Sequence, residues 1–181
     1  MKLKPQHAQF LANHIVLDLG HSSIIQITSP LANLNRLATD IIKEDMQQEA
    51  NIEKKTRDIL EQYQEEIEED EVNEKQLFAM VKKQIAKEEG FLLSHNERYS
   101  QLAHKILDEF IEEKYIICKV PENTVKNIIL ESMQSYMKFQ ENAYDAVIAK
   151  LKNYKKKLVA GSDEYELIFA RLYEEELSKK G

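Results

Sequence analysis

Three histidines stand seven residues apart, at His7, His14 and His21. Imidazole is the commonest metal ligand, so this series is where chemistry is sought first. On one helix the three would share a face, with neighbours about 10 Å apart along the axis. Zinc needs ligands near 2 Å. The series is therefore read as surface or packing histidines, and no metal site is expected. The acidic run 65–71, EEIEEDE, lacks the glycine turn and alternating ligands of a calcium loop, and reads as a solvated helix end. Cys118 is the single cysteine, which excludes an internal disulfide. Inside YIICKV it reads as a small buried apolar residue and not as a reactive thiol. The sequence has no Gly-rich phosphate loop, no nucleophile elbow and no His-Glu-x-x-His. With 32 acidic residues, paired carboxylates occur everywhere and carry no signal. The expectation is a protein that is not an enzyme and takes no cofactor.

What remains is charge. KLKNYKKK at 150–157 concentrates Lys150, Lys152, Lys155, Lys156 and Lys157, and ILEQYQEEIEEDE holds Glu61, Glu65 and Glu66. These eight residues are the candidate partner-binding positions. The lysines could meet an anionic surface, and the glutamates would repel nucleic acid or meet a basic protein. Alternatively the two runs pair with each other, within the chain or between chains, which would set orientation more than stability. The bland alternative is a pair of solvated helix faces.

The elements that carry these charges follow from composition. The chain has 181 residues, enough to bury a core without disulfides or metal, with 43% hydrophobic and 31% charged residues, four Gly, three Pro and no Trp. Abundant Glu, Lys, Gln, Leu, Ile and Ala favour helix, and scarce Gly and Pro remove the punctuation of an all-β fold. The formal net charge is −7 and the pI about 5.4, which argues against broad phosphate binding. MKLKPQHAQF lacks the apolar stretch of a signal peptide, and no apolar run approaches the roughly 20 residues that span a bilayer. A cytoplasmic protein without a membrane partner is expected.

A shift of 91 residues superimposes the chain on itself without a gap. Leu11, Ala12 and Ile15 fall on Leu102, Ala103 and Ile106; Pro30 falls on Pro121, Tyr63 on Tyr154, and Phe78-Ala79 on Phe169-Ala170. Twelve of 90 pairs are identical, and apolar positions match more often still. Each copy is expected to hold about four helices and one short strand. The first helix carries Ala8, Leu11, Ile15 and Leu19, matched by Tyr99, Leu102, Ile106 and Phe110. Ser94 and Glu97 form a capping-box pattern. IIQIT (24–28) and YIICKV (115–120) read as strands, which could pair antiparallel about a pseudo-twofold axis. Ser29 reads as a cap with Pro30 at the first helical position of a second helix ending near 49, or near 140 in the second copy. A third helix carries Leu60, Tyr63 and Ile67, matched by Leu151, Tyr154 and Leu158, with both tyrosines packing. Gly161 reads as its stop in the second copy and Ser162 as the cap of a fourth helix. The fourth carries Leu77, Val81 and Ile85, matched by Ile168, Leu172 and, one residue out of register, Leu177.

The expected architecture is thus all-α: two tandem helical repeats, 1–90 and 91–181, with a short two-stranded element that could pair across them and a core that could be fused into one. Residues 1–90 carry 11 basic and 17 acidic side chains, and residues 92–181 carry 14 and 15. The first repeat is acidic; the second is near neutral, with a basic third helix.

MKLKPQHAQFLANHIVLDL, LFAMVKKQIAKEEGFLL, LAHKILDEF, VKNIILESM and YELIFARLYEEELSKKG together resemble a bacterial family catalogued only as domain of unknown function 507. The likeness runs over essentially the whole chain, and NYKKKLVAGSDEYELIFARLYEEEL is most similar to members from campylobacter-like bacteria. The resemblance implies a bacterial cytoplasmic protein and brings no catalytic residues. The expected role is a protein-binding adaptor or scaffold. The rival is a nucleic-acid-binding module using the basic helix 150–157, and homo-oligomerisation stays open.

Overall fold

A computed structural model describes residues 5–65, 73–154 and 158–179. After a single 3₁₀ turn at Pro5–His7, helix α1 spans Ala8–His21. Strand β1 (Ile25–Ile27) leads into helix α2 (Leu31–Gln62), and helix α3 covers Glu74–Glu88. Helix α4 (His95–Glu112), strand β2 (Ile116–Cys118), helix α5 (Glu122–Lys152) and helix α6 (Asp163–Ser178) follow. The protein is mostly helical, with one small antiparallel ribbon. Among the described residues, no helix is long and apolar enough to cross a membrane.

Apolar stripes make the long helices pack. Ala8, Leu11, Ala12, Ile15, Val16 and Leu19 are buried on α1, and Leu102, Ala103, Ile106, Leu107 and Phe110 on α4. These stripes follow the spacing seen in the sequence. Helix α2 packs against α1, α3 and α4. Strands β1 and β2 pair antiparallel with Gln26 opposite Ile117, flanked by Ile25↔Cys118 and Ile27↔Ile116. Ile25 and Ile116 face inward, while Gln26 and Ile117 point to solvent. Cys118 is half-buried and not buried as expected, because it ends a three-residue strand. Burial pushes its thiol upward, and the Glu122 charge adds to this, so the thiol form is favoured.

The largest departure from the sequence reading concerns helix number. No break occurs near 49 or 140. The expected second and third helices are one continuous α2 of 32 residues and one continuous α5 of 31 residues. Neither span contains Gly or Pro, so nothing in it removes a backbone hydrogen bond or favours a turn. Tyr63, expected to pack, lies at the α2 C-cap and is 55% exposed. Tyr154 is half-buried and its hydroxyl accepts a hydrogen bond from Arg171 at 3.2 Å.

The helix ends follow local chemistry. Asn73 caps α3 by accepting from the Lys75 and Gln76 amides. Gly90, at φ +67°, closes α3: the Gly90 and Phe91 amides donate to the carbonyls of Lys87 and Ala86, the paired bonds of a Schellman motif. Ser162 caps α6 as expected, accepting from the Tyr165 amide; Gly161 precedes it at φ +82° in a turn and is not the expected helix stop, because α5 already ends at Lys152. Ser94 occupies the α4 cap position without forming the capping bond. Ser29 is one residue too early to cap: Pro30 is the cap residue of α2, and the Ser29 hydroxyl instead accepts from the Asn33 amide side chain at 3.0 Å.

The chain forms two compact units. The larger lies within Leu3–Ser132 and includes everything from α1 to β2 with the start of α5; the smaller lies within Met133–Gly181 and holds the rest of α5 with α6.

Candidate functional site

In the larger unit, α2, α3 and α4 bring their charges together. Asp45, Glu49 and Glu53 recur every fourth residue and so line one face of α2. Arg98, only 6% exposed, reaches them from α4. Its Nε donates to Asp45 Oδ2 at 2.9 Å and its Nη1 to Glu49 Oε2 at 2.8 Å. The guanidinium carbon stands 4.6 Å from the centroid of the Phe91 ring, a cation–π contact. From α3, Lys82 Nζ donates to Glu53 at 2.8 Å and to Glu49 at 3.2 Å. Glu49 therefore carries one cation on each carboxylate oxygen. Burial alone would lower the pKa values of Arg98 and Lys82. The hydrogen bonds to these carboxylates and their charges outweigh it, so both end above their ordinary values. The cluster is built to hold helices together, since its cations already have acceptors.

An open groove lies beside this cluster, where the end of α2 meets the start of α3. Its volume is about 490 Å³. Leu60, Leu77 and Phe78 give it half-buried apolar walls, and Arg57, Glu61, Glu74 and Lys75 give it a rim with both signs of charge. A second hollow of about 440 Å³ lies between α2 and α4; across it Lys105 Nζ donates to Glu44 at 2.7 Å.

The positions singled out in the sequence are dispersed. Glu61 lines the groove, and Glu65 is exposed just beyond the end of α2. Glu66, Lys155, Lys156 and Lys157 lie outside the described residues. Lys152 is exposed at the end of α5. Lys150 is engaged: it donates to Glu176 of α6, which also accepts from Lys179 at 2.6 Å. Those bonds raise the pKa of Lys150 and lower that of Glu176. The heptad histidines do not converge. His7 is buried in the first turn, His14 lies on α1 3.6 Å from Asp18, and His21 is exposed in the last turn of α1.

The smaller unit relies on aromatic rings. Phe169 packs against Tyr144 (centroids 5.4 Å apart), Tyr165 (6.4 Å) and Tyr173 (5.8 Å). The Tyr173 hydroxyl donates to Gln140 Oε1, and Gln140 Nε2 donates to the Tyr136 hydroxyl at 2.9 Å. Burial, with the nearby Tyr136, pushes the Tyr173 phenol up to about 12.

Sequence reasoning missed Arg98, Asp45, Glu49 and Lys82. One signal was available: Arg98 precedes Leu102 and Ile106 at spacings of four, so a cation occupies the apolar stripe of α4. A charge in a buried stripe needs a buried partner.

A search of curated proteins returned no match. A family model described as "Protein of unknown function (DUF507)" matches residues 1–181, the whole length of the chain. The segments that resembled this family in the sequence lie on α1, α3, α4, α5 and α6, and the chain belongs to the DUF507 family.

Proposed function

We propose that this protein is a non-enzymatic adaptor or scaffold of the bacterial cytoplasm, whose groove between α2 and α3 receives a segment of another protein. The groove itself carries the reading. Leu60, Leu77 and Phe78 offer an apolar strip, and Arg57, Glu61, Glu74 and Lys75 border it with charges that select by pairing. Amphipathic helices dock in such grooves through apolar anchors at helical spacing. Nucleic acid is the weaker reading, because Lys150 of the basic run is held by Glu176.

The reading includes an internal duplication, with copies at 1–90 and 91–181. Spacing supports it. Strands β1 and β2 begin and end 91 residues apart, α1 and α4 end 91 apart, and α2 and α5 begin 91 apart. The ribbon adds a symmetry argument: its central pair, Gln26 and Ile117, joins equivalent positions. The Thr28 amide donates to the Tyr115 carbonyl at 2.9 Å and the Lys119 amide to the Ile24 carbonyl at 2.9 Å, and a shift of 91 exchanges these two bonds.

The test isolates the tagged protein from its own host, with and without nuclease, beside a Phe78→Glu variant. The expected result is a set of protein partners that survives nuclease and is lost in Phe78→Glu. A set that vanishes with nuclease, and with Lys152→Glu combined with Lys156→Glu, would transfer the role to nucleic acid.

A further inference from the structure

The charged cluster divides unequally between α3 and α4, and the division has a mechanical meaning. Helix α4 is anchored by a long buried stripe and by Arg98, which keeps Asp45 and one oxygen of Glu49. Helix α3 buries only Ile85 and Ala86 among its residues, with Val81 partly buried beside them. Leu77 and Phe78 are only half-buried, at the open groove, and the remaining ties are ionic. Lys82 meets Glu49 and Glu53, and Glu89, at the C-cap of α3, accepts from Lys55.

From this we infer that α3 is a releasable strap, latched to α2 by Lys82 and able to detach while α1, α2 and α4 stay folded. Release leaves no buried charge stranded. Glu49 keeps its hydrogen bond from Arg98, and Phe91 stays under the Arg98 guanidinium. Glu53 and Lys82, about one-fifth exposed while latched, regain water. What release uncovers is apolar. Ile52 of α2 and Phe91 form one cluster with Ile85 and Ala86, flanked by Val81 and Leu93. A detached α3 would present Ile52, Phe91 and Leu93 to an apolar partner segment. Elements with few buried contacts and peripheral charge pairs are those that open below the global unfolding free energy.

Native-state hydrogen exchange on the full chain at neutral pH tests this without any partner, so its outcome is independent of the groove reading. Amides of residues 79–86 are expected to be at least 100-fold less protected than those of 103–110. Lys82→Met should speed exchange in 79–86 about tenfold and leave 103–110 unchanged, and Glu53→Gln should act in the same direction. Equal protection of the two segments in the wild type would overturn the inference. So would a Lys82→Met variant that speeds both segments alike, or one that alters neither.

Discussion

Lys114 adopts φ +57° immediately after α4, the left-handed conformation that glycine occupies after α3. Its amide and that of Tyr115 donate to the carbonyls of Ile111 and Phe110, so the turn repeats the α3 closure with a Cβ in place. Lys114→Gly should stabilise the protein by about 1 kcal/mol, read as a higher urea midpoint at unchanged slope. Arg98 predicts the opposite sign. Arg98→Met strands Asp45 and weakens the hold on Glu49, and should cost about 3–5 kcal/mol, far more than loss of an exposed pair such as Lys105–Glu44. Tyr173 supplies a pH signature. Its folded pKa of about 12 exceeds the ordinary value of 10, so its contribution to stability is complete below pH 10 and is lost as pH rises towards 12. A difference titration at alkaline pH should show an absorbance step near pH 12 in the wild type that Tyr173→Phe removes. At this scale the sequence discloses what is local. Gly90 and Ser162 act through neighbouring amides and are readable, whereas Arg98 finds its carboxylates 49 and 53 residues away and is not.

The continuity of α2 explains why a break near 49 is suggested by its sequence. Apolar periodicity fails between Ile42 and Ile52, and such a lapse ordinarily marks a helix end. Here the inward face of that stretch is occupied by Asp45 and Glu49, which meet Arg98. The stripe changes from apolar to ionic while the backbone stays helical. Helix α5 does the same with neutral groups, placing buried Tyr136 and Gln140 where an apolar stripe would otherwise run. Helices α1 and α4 and the strands, whose buried faces are plainly apolar, are legible directly. Ala50, exposed at mid-helix, separates the two possibilities. Ala50→Gly should cost about 1 kcal/mol and Ala50→Pro about 3 kcal/mol or more by urea denaturation, whereas both would be nearly silent in a loop.

For the whole molecule, the ribbon makes the two halves of the sequence depend on one another. Each contributes one three-residue strand, and a strand that short has no stability alone. Fragments 1–90 and 91–181 should therefore co-purify when co-expressed and restore the helical circular dichroism of the intact chain. When expressed singly, each should be poorly folded or self-associate. Recovery of two monomeric, fully folded fragments would contradict this dependence. The charge contrast between the halves is visible in the sequence, but its use is not, because Lys150 is engaged by Glu176 and Glu61 borders a groove.

The ribbon also imposes a waiting time on synthesis. Its partners are separated by about 90 residues, so at roughly 5–20 residues per second Ile25–Ile27 is synthesised on the order of ten seconds before Ile116–Cys118. During that interval the nascent chain carries an apolar, unpaired strand, a template for the same segment on a neighbouring nascent chain. Three residues give such a template little to hold, and Gln26 interrupts its apolar run. A ribbon this short adds little stability to the finished protein, and for the same reason it offers polysome-bound chains little edge on which to join one another.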